Sequence, residues 1–195
     1  MTAVSAPHTP QPPAPAPPGL THGPFPDRGI RLPGLDAAIT TVLADESAAL
    51  DEGEHPLWLD MLDPAFHYEI PVPLLREDPA LPRHSTSAVL FDATKRVFEL
   101  KFGRAGLLQA WSDRPVTTTR HFLGTVRVFA TTATDVVRAD TNLLVTSNRG
   151  AEHTVLISAA RQDLLRERDG RWLLLRRRVL LDVEVATHEQ LSVVF

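Results

Sequence analysis

The side chains of this 195-residue sequence that could do chemistry are few and widely spaced. Beyond the first 35 residues the histidines stand at 55, 67, 84, 121, 153 and 188, and the closest two are twelve positions apart. A mononuclear iron oxygenase centre needs two histidines and a carboxylate around an open position, and no helical i, i+4 histidine pair supplies one here. Cysteine is absent. That removes disulfides, cysteine nucleophiles, zinc–thiolate sites and a complete iron–sulfur ligand set, so any redox chemistry this protein takes part in is expected on another chain. Gly103-Arg104-Ala105-Gly106 lacks the Lys-Ser/Thr ending of a phosphate loop. No Gly-x-Ser-x-Gly elbow is present either.

What remains is acid–base chemistry in an apolar pocket, which needs a carboxylate or histidine of perturbed pKa and a donor to hold an enolate. The candidates are His67, Tyr68, His121, Asp140 and Asp182. His67 and Tyr68 are neighbours on an expected strand, so alternation puts them on opposite faces and at most one enters a given pocket. His121 follows Arg120 at the head of another expected strand, after a polar turn containing Pro115. It reads either as a general base or as a residue that bonds backbone at the strand entry while Arg120 pairs with a carboxylate.

These residues depend on elements visible in the pattern. Ten of the 17 prolines fall in residues 1–33, where the missing amide protons and fixed φ oppose helix and sheet; residues 1–35 are expected to be a proline-rich flexible tail. Asp36 is placed to cap a helix through DAAITTVLADESAALDE with Ile39, Val42, Leu43, Ala49 and Leu50 on one stripe. HPLWLDMLD predicts a second helix that buries Leu57, Trp58, Met61 and Leu62, ended by Asp63-Pro64. AFHYEIPVP predicts a strand closed by Pro71 and Pro73, which a central strand would not tolerate. Residues 74–91 predict a loop with a short strand at Ser87–Phe91, and Asp92 a cap for a third helix through TKRVFELKFGRAGLLQAW.

From His121 the period changes to two. HFLGTVRVFAT, DVVRADTNLLVTSN, AEHTVLISAARQDLLRERD and RWLLLRRRVLLDVEV follow with SNRG and RDGR as hairpin turns. Val137, Ala139, Thr141, Leu143 and Val145 share one face of the second run, opposite Arg138, Asp140 and Asn142. In the fourth, Leu173, Leu175, Val179, Leu181, Val183 and Val185 share a face that Arg177 interrupts. Helices first and a meander after predict an α+β domain over residues 36–195, a curved antiparallel sheet with N-terminal helices packed on one face. A net charge of −4 argues against an electrostatic nucleic-acid binder, and no run approaches the roughly 20 apolar residues of a membrane helix. A cytoplasmic location is expected, with neither nucleic acid nor membrane as partner.

Three stretches resemble a known family. ESAALDEGEHPLWLDMLDPAFHYEIPV, the segment from Trp111 to Val128, and RWLLLRRRVLLDVEVATHEQLSVVF are together similar to the small (beta) subunit of aromatic-ring-hydroxylating dioxygenases, over about residues 36–195. The resemblance implies a cone-shaped nuclear-transport-factor-2-like (cystatin-like) fold with no catalytic or cofactor-binding residue of its own. The expected partners are a large (alpha) oxygenase subunit, holding a Rieske iron–sulfur cluster and a mononuclear iron, and further copies of this chain. Trp111, Arg120, His121, Arg176, Arg178 and Asp182 then become structural or interface residues. Stand-alone relatives of the fold, among them isomerases, dehydratases and polyketide cyclases, keep the acid–base alternative open.

Overall fold

A computed structural model describes residues 19–108, 117–149, 154–182 and 193–195. A short 3-10 turn at Pro33–Leu35 leads into α1 (Asp36–Asp51) and α2 (His55–Asp60); α3 follows later, at Lys95–Leu108. The strands are β1 (Leu62–Pro73), β2 (His84–Thr94), β3 (Thr117–Leu123), β4 (Arg127–Ala130), β5 (Val136–Arg149), β6 (Thr154–Arg168) and β7 (Arg171–Leu181). They form one unclosed, curved sheet in the order β2-β1-β7-β6-β5-β3, with β4 also on β5. The α+β expectation holds, with one parallel pairing, β1 on β7, in an otherwise antiparallel sheet. All three helices pack on the inner face, over a core that includes Ile39, Leu43, Trp58, Phe66, Tyr68, Phe98, Val128, Ala139, Val145, Val179 and Leu181.

Several local expectations change. The carboxylate of Asp36 does not cap α1; its Oδ1 accepts from Arg31 at 2.7 Å and from the Val128 amide at 3.1 Å, so it ties the helix start to β4. α2 stops at Asp60, leaving Leu57 half exposed, and Asp63-Pro64 lies inside β1, where Asp63 accepts from the Ala65 amide at 2.9 Å. β1 is central despite its prolines because its pairing with β7 ends at Glu69↔Arg178, before Pro71, and both prolines sit at register shifts against β2. Asp92 belongs to β2 rather than capping α3. The expected strand from 121 to 131 is broken between β3 and β4, where the Gly124 amide bonds Asn142 O at 2.8 Å.

β7 carries a bulge. Leu164 pairs with Arg176 but Leu165 pairs with Leu174, so Leu175 has no opposite residue. Alternation therefore flips at Leu175. Leu174 joins the main core while Leu175 packs on the outer face with Leu20, Val136 and Leu164. At the β6–β7 turn Asp169 and Gly170 have φ of 50° and 74°, as a two-residue hairpin loop requires.

Residues 19–31, within the stretch expected as a flexible tail, form a strap across the outer face. Arg138, Arg176 and Arg178 place their guanidinium carbons 5.3, 5.0 and 5.0 Å from the centre of the Phe25 ring. Arg176 donates to Gly23 O at 2.6 Å, and Arg138 to Pro26 O. A Cβ on Gly29 would collide with the carbonyl oxygen of Ala130, while the Ala130 amide bonds Ile30 O at 2.8 Å. Gly29→Ala is therefore expected to lift the strap from β4. Limited trypsinolysis should show faster cleavage after Arg28 and Arg31 than in the parent, with the sheet left intact.

Candidate functional site

The interior contains charges that an apolar core does not need. Glu46 lies on the buried stripe of α1, one turn beyond Leu43. Arg161 and Asp163 on β6 continue the inward phase of Ile157 and Ala159, and Asp163 stands opposite Arg177 of β7. Arg177 grips both carboxylates: its Nη2 reaches Glu46 Oε2 at 2.8 Å, its Nη1 meets Oε1, and its Nε reaches Asp163 Oδ1 at 2.7 Å. Trp58 Nε1 donates to Glu46 Oε1 at 3.0 Å. Arg161 lies 2.9 Å from Asp163 and 3.5 Å from Glu46, yet none of its three guanidinium nitrogens has a hydrogen-bond acceptor in line.

The titration of these groups follows from burial set against charge. Desolvation works most strongly against a charged Glu46, but Arg177 and Arg161, with bonds from Arg177 and Trp58, prevail and hold its pKa at about 2. Burial opposes the Arg177 charge too, and Asp163 and Glu46 more than offset it, so its pKa is raised. For Arg161 burial and the neighbouring Arg177 win, and its pKa is lowered. Burial raises that of Tyr68.

Residues 193–195 end in the midst of this network. Phe195 is fully buried, its carbonyl accepts from Arg177 Nη1 at 2.9 Å, and its amide donates to Tyr68 Oη at 3.2 Å. His121, on β3, places Nε2 2.8 Å from Val194 O and Nδ1 2.6 Å from Asp51 Oδ1. The second Asp51 oxygen takes the His121 backbone amide at 3.0 Å. Asp51 thus links the end of α1, the body of β3 and, through the ring, residue 194. Asp51→Ala is expected to cost about 1–3 kcal/mol by leaving buried donors unmet, read as a lowered urea midpoint with an unchanged m-value.

The five acid–base candidates are not brought together. Tyr68 and His121 face inward, each spent on the chain's own backbone. His67 faces outward under the strap, with Nε2 3.0 Å from Asp92 and its ring 4.6 Å from that of His22. Asp140, also outward, holds Arg28 at 2.6 Å and Arg138 at 2.7 Å. Asp182, exposed at the end of β7, accepts from Ser158 Oγ at 2.9 Å. Arg120 is exposed, and the strand begins at Thr117 rather than at His121; the nearby Asp51 carboxylate goes to His121 instead. Arg176 and Arg178 share Glu69 Oε1 at 2.8 and 2.7 Å. Trp111 lies outside the described residues.

An open cleft of about 440 Å³ lies beside the strap, lined by Phe25, Asp27, Arg28, Arg138, Gln162 and Arg178. Arg138 and Arg178 on its wall are already paired with Asp140 and Glu69. Among the described residues no three His, Asp or Glu side chains gather as a metal ion requires, and the sequence supplies no cysteine. No described helix is long and apolar enough to cross a membrane.

The sequence pattern of the family described as "ring hydroxylating beta subunit" matches residues 45–188. Among solved structures, a chain of naphthalene 1,2-dioxygenase with indole bound in the active site superposes with a TM-score of 0.71 at 18% identity, covering 82% of this chain and 85% of that one. The beta subunit of benzoate 1,2-dioxygenase from Burkholderia mallei gives 0.60 at 18% identity over 75% of this chain and 89% of its own. A protein with a cystatin-like fold from Nostoc punctiforme gives 0.50 at 17% identity over 78% and 96%.

Proposed function

Because this chain belongs to the ring-hydroxylating beta-subunit family, we propose that it is the non-catalytic small subunit of an aromatic-ring-hydroxylating dioxygenase. It supports the assembly of a large subunit that carries the Rieske cluster and the mononuclear iron, alongside further copies of itself in the cytoplasm. The observation that carries this reading beyond the family is the state of the interior. Where a pocket enzyme would hold substrate against an acid and a base, this chain has Arg177 bound to Glu46, Asp163 and the Phe195 carbonyl. Its inward tyrosine and histidine are spent on its own residues 194 and 195.

Among the residues expected at interfaces, Arg120 and Asp182 are exposed and able to meet a partner. Arg176 and Arg178 act chiefly within the chain, where they fix the strap through Phe25 and Glu69. Co-expression with an affinity-tagged Rieske-type large subunit from the same genome tests the proposal. Retention of this chain on the tag through a high-salt wash is expected. Elution of the large subunit alone, with this chain soluble and folded in the flow-through, would refute it.

A further inference from the structure

The outer face of the sheet is covered at one end and bare at the other. Near the start of β5 the strap lies over it, and Leu20 is buried there with Val136, Leu164 and Leu175. Toward the other end of β5 three large apolar side chains stand in water: Phe122 is 52% exposed, Leu144 39% and Leu156 62%. Alternation and register bring them together. Phe122 of β3 pairs with Leu144 of β5, and Leu144 with Ser158 of β6; the next outward row runs from Arg120 through Thr146 to Leu156. The solvated face of an antiparallel sheet ordinarily carries polar side chains at such positions, and a contiguous exposed apolar patch with a polar rim marks an interaction surface.

The rim indicates what fits the patch. Arg120 is exposed on the β3 side. On the opposite side Asp182, exposed at the end of β7, extends the row of Phe122, Leu144 and Ser158: its amide bonds Ser158 O at 3.1 Å and its carboxylate accepts from Ser158 Oγ at 2.9 Å. A cation thus flanks the apolar centre on one side and an anion on the other, three strand spacings or about 14 Å apart across the sheet. Such a surface is complementary to itself. A two-fold rotation about an axis between two facing copies, running along the strands, lays β3 of one copy over β7 of the other and β5 over β6. Each Arg120 is then carried to the Asp182 side of the other copy, and Leu144 and Leu156 of both copies gather about the axis. An arrangement with β3 over β3 would instead set Arg120 against Arg120, which like charge disfavours.

We propose that the bare end of the outer face is a self-association surface at which two copies of this chain pack their sheets face to face, with Phe122, Leu144 and Leu156 at the centre and two Arg120–Asp182 pairs at the rim. Apolar burial supplies the attraction and the charges fix the orientation. A patch four strands wide is smaller than a permanent interface requires, so the pair exchanges with single chains on dilution. The surface belongs to the isolated chain and does not rest on the large subunit.

Sedimentation velocity of the isolated full chain over a wide range of concentration tests this. The parent is expected to move from the mass of one chain toward that of two as concentration rises. Leu156→Lys and, separately, Arg120→Asp and Asp182→Arg should each weaken the pairing by about tenfold or more while melting as the parent does, because all three side chains are exposed. The double variant Arg120→Asp/Asp182→Arg remakes both rim pairs with their signs exchanged and should recover the parent's association, whereas a dissimilar partner would gain nothing from the exchange. A parent that stays a single chain throughout, single variants that associate as strongly as the parent, or a double variant that fails to recover would each overturn the proposal. So would loss of Leu156→Lys from a tagged large subunit with self-association unchanged, since that result assigns the face to the large subunit. Retention of the parent on the large subunit is read separately, so either reading can fail without the other.

Discussion

Replacing Glu46 with alanine is expected to destabilise the isolated chain by about 3–5 kcal/mol, the usual cost of removing one partner from a buried ion pair. For a chain of this size that is a fall in melting temperature on the order of 10 °C. The loss is large because the carboxylate is shared: Arg177 and Arg161 would be left in the core with Asp163 as their counter-charge. Trp58 would also lose the acceptor of its indole N–H. The pH dependence has a defined sign. The pKa of Glu46 in the folded chain, about 2, lies below its ordinary value of 4.5, so its contribution is complete above about 4.5 and is lost as pH falls toward 2. Glu46→Gln should accordingly flatten the acid limb of stability in that window. Equal slopes in parent and variant would show that the carboxylate is not held ionised by the arginines.

Phe195→Ala is the second large effect, expected at about 3–5 kcal/mol for a buried phenylalanine whose surroundings cannot fully close. The ring is completely buried and packs with Val193 and Val194 in the same core as Trp58 and Tyr68. The neighbours that would have to collapse into the vacated space include Arg177, which is held rigidly by two carboxylates. Chemical denaturation of the monomer measures the loss directly. A change below about 1 kcal/mol, the level of a surface substitution, would show that residue 195 does not complete the core. The same loss is expected with and without a partner subunit, because the contacts are internal.

The strands from β5 to β7 were legible because a period of two persists over long runs, and Val137, Ala139, Leu143 and Val145 do line the core as their spacing implies. Leu173 and Leu175 do not follow the expected face, since a one-residue bulge leaves no trace in composition yet inverts the phase of everything before it. The charged network was half visible. Arg177 stands out as an interruption of an apolar face, and Glu46 sits three residues past Leu43 and seven past Ile39, on the same helical stripe. Linking them to Arg161 and Asp163 requires strand register, which the local pattern does not contain. The strap was the least legible element. Its carbonyls are satisfied by Arg138 and Arg176, more than 100 residues away in sequence, so a window over residues 19–31 shows only prolines and glycines.

Ring hydroxylation by the large subunit, followed as this chain is titrated into it, tests the supporting role most directly. The expected result is turnover that rises and saturates at equal amounts of the two chains, with none from this chain alone. His67→Ala and Asp182→Asn should leave the plateau unchanged, because neither residue touches substrate in this account. Full turnover by the large subunit without this chain, or conversion of an aromatic substrate by this chain on its own, would contradict it.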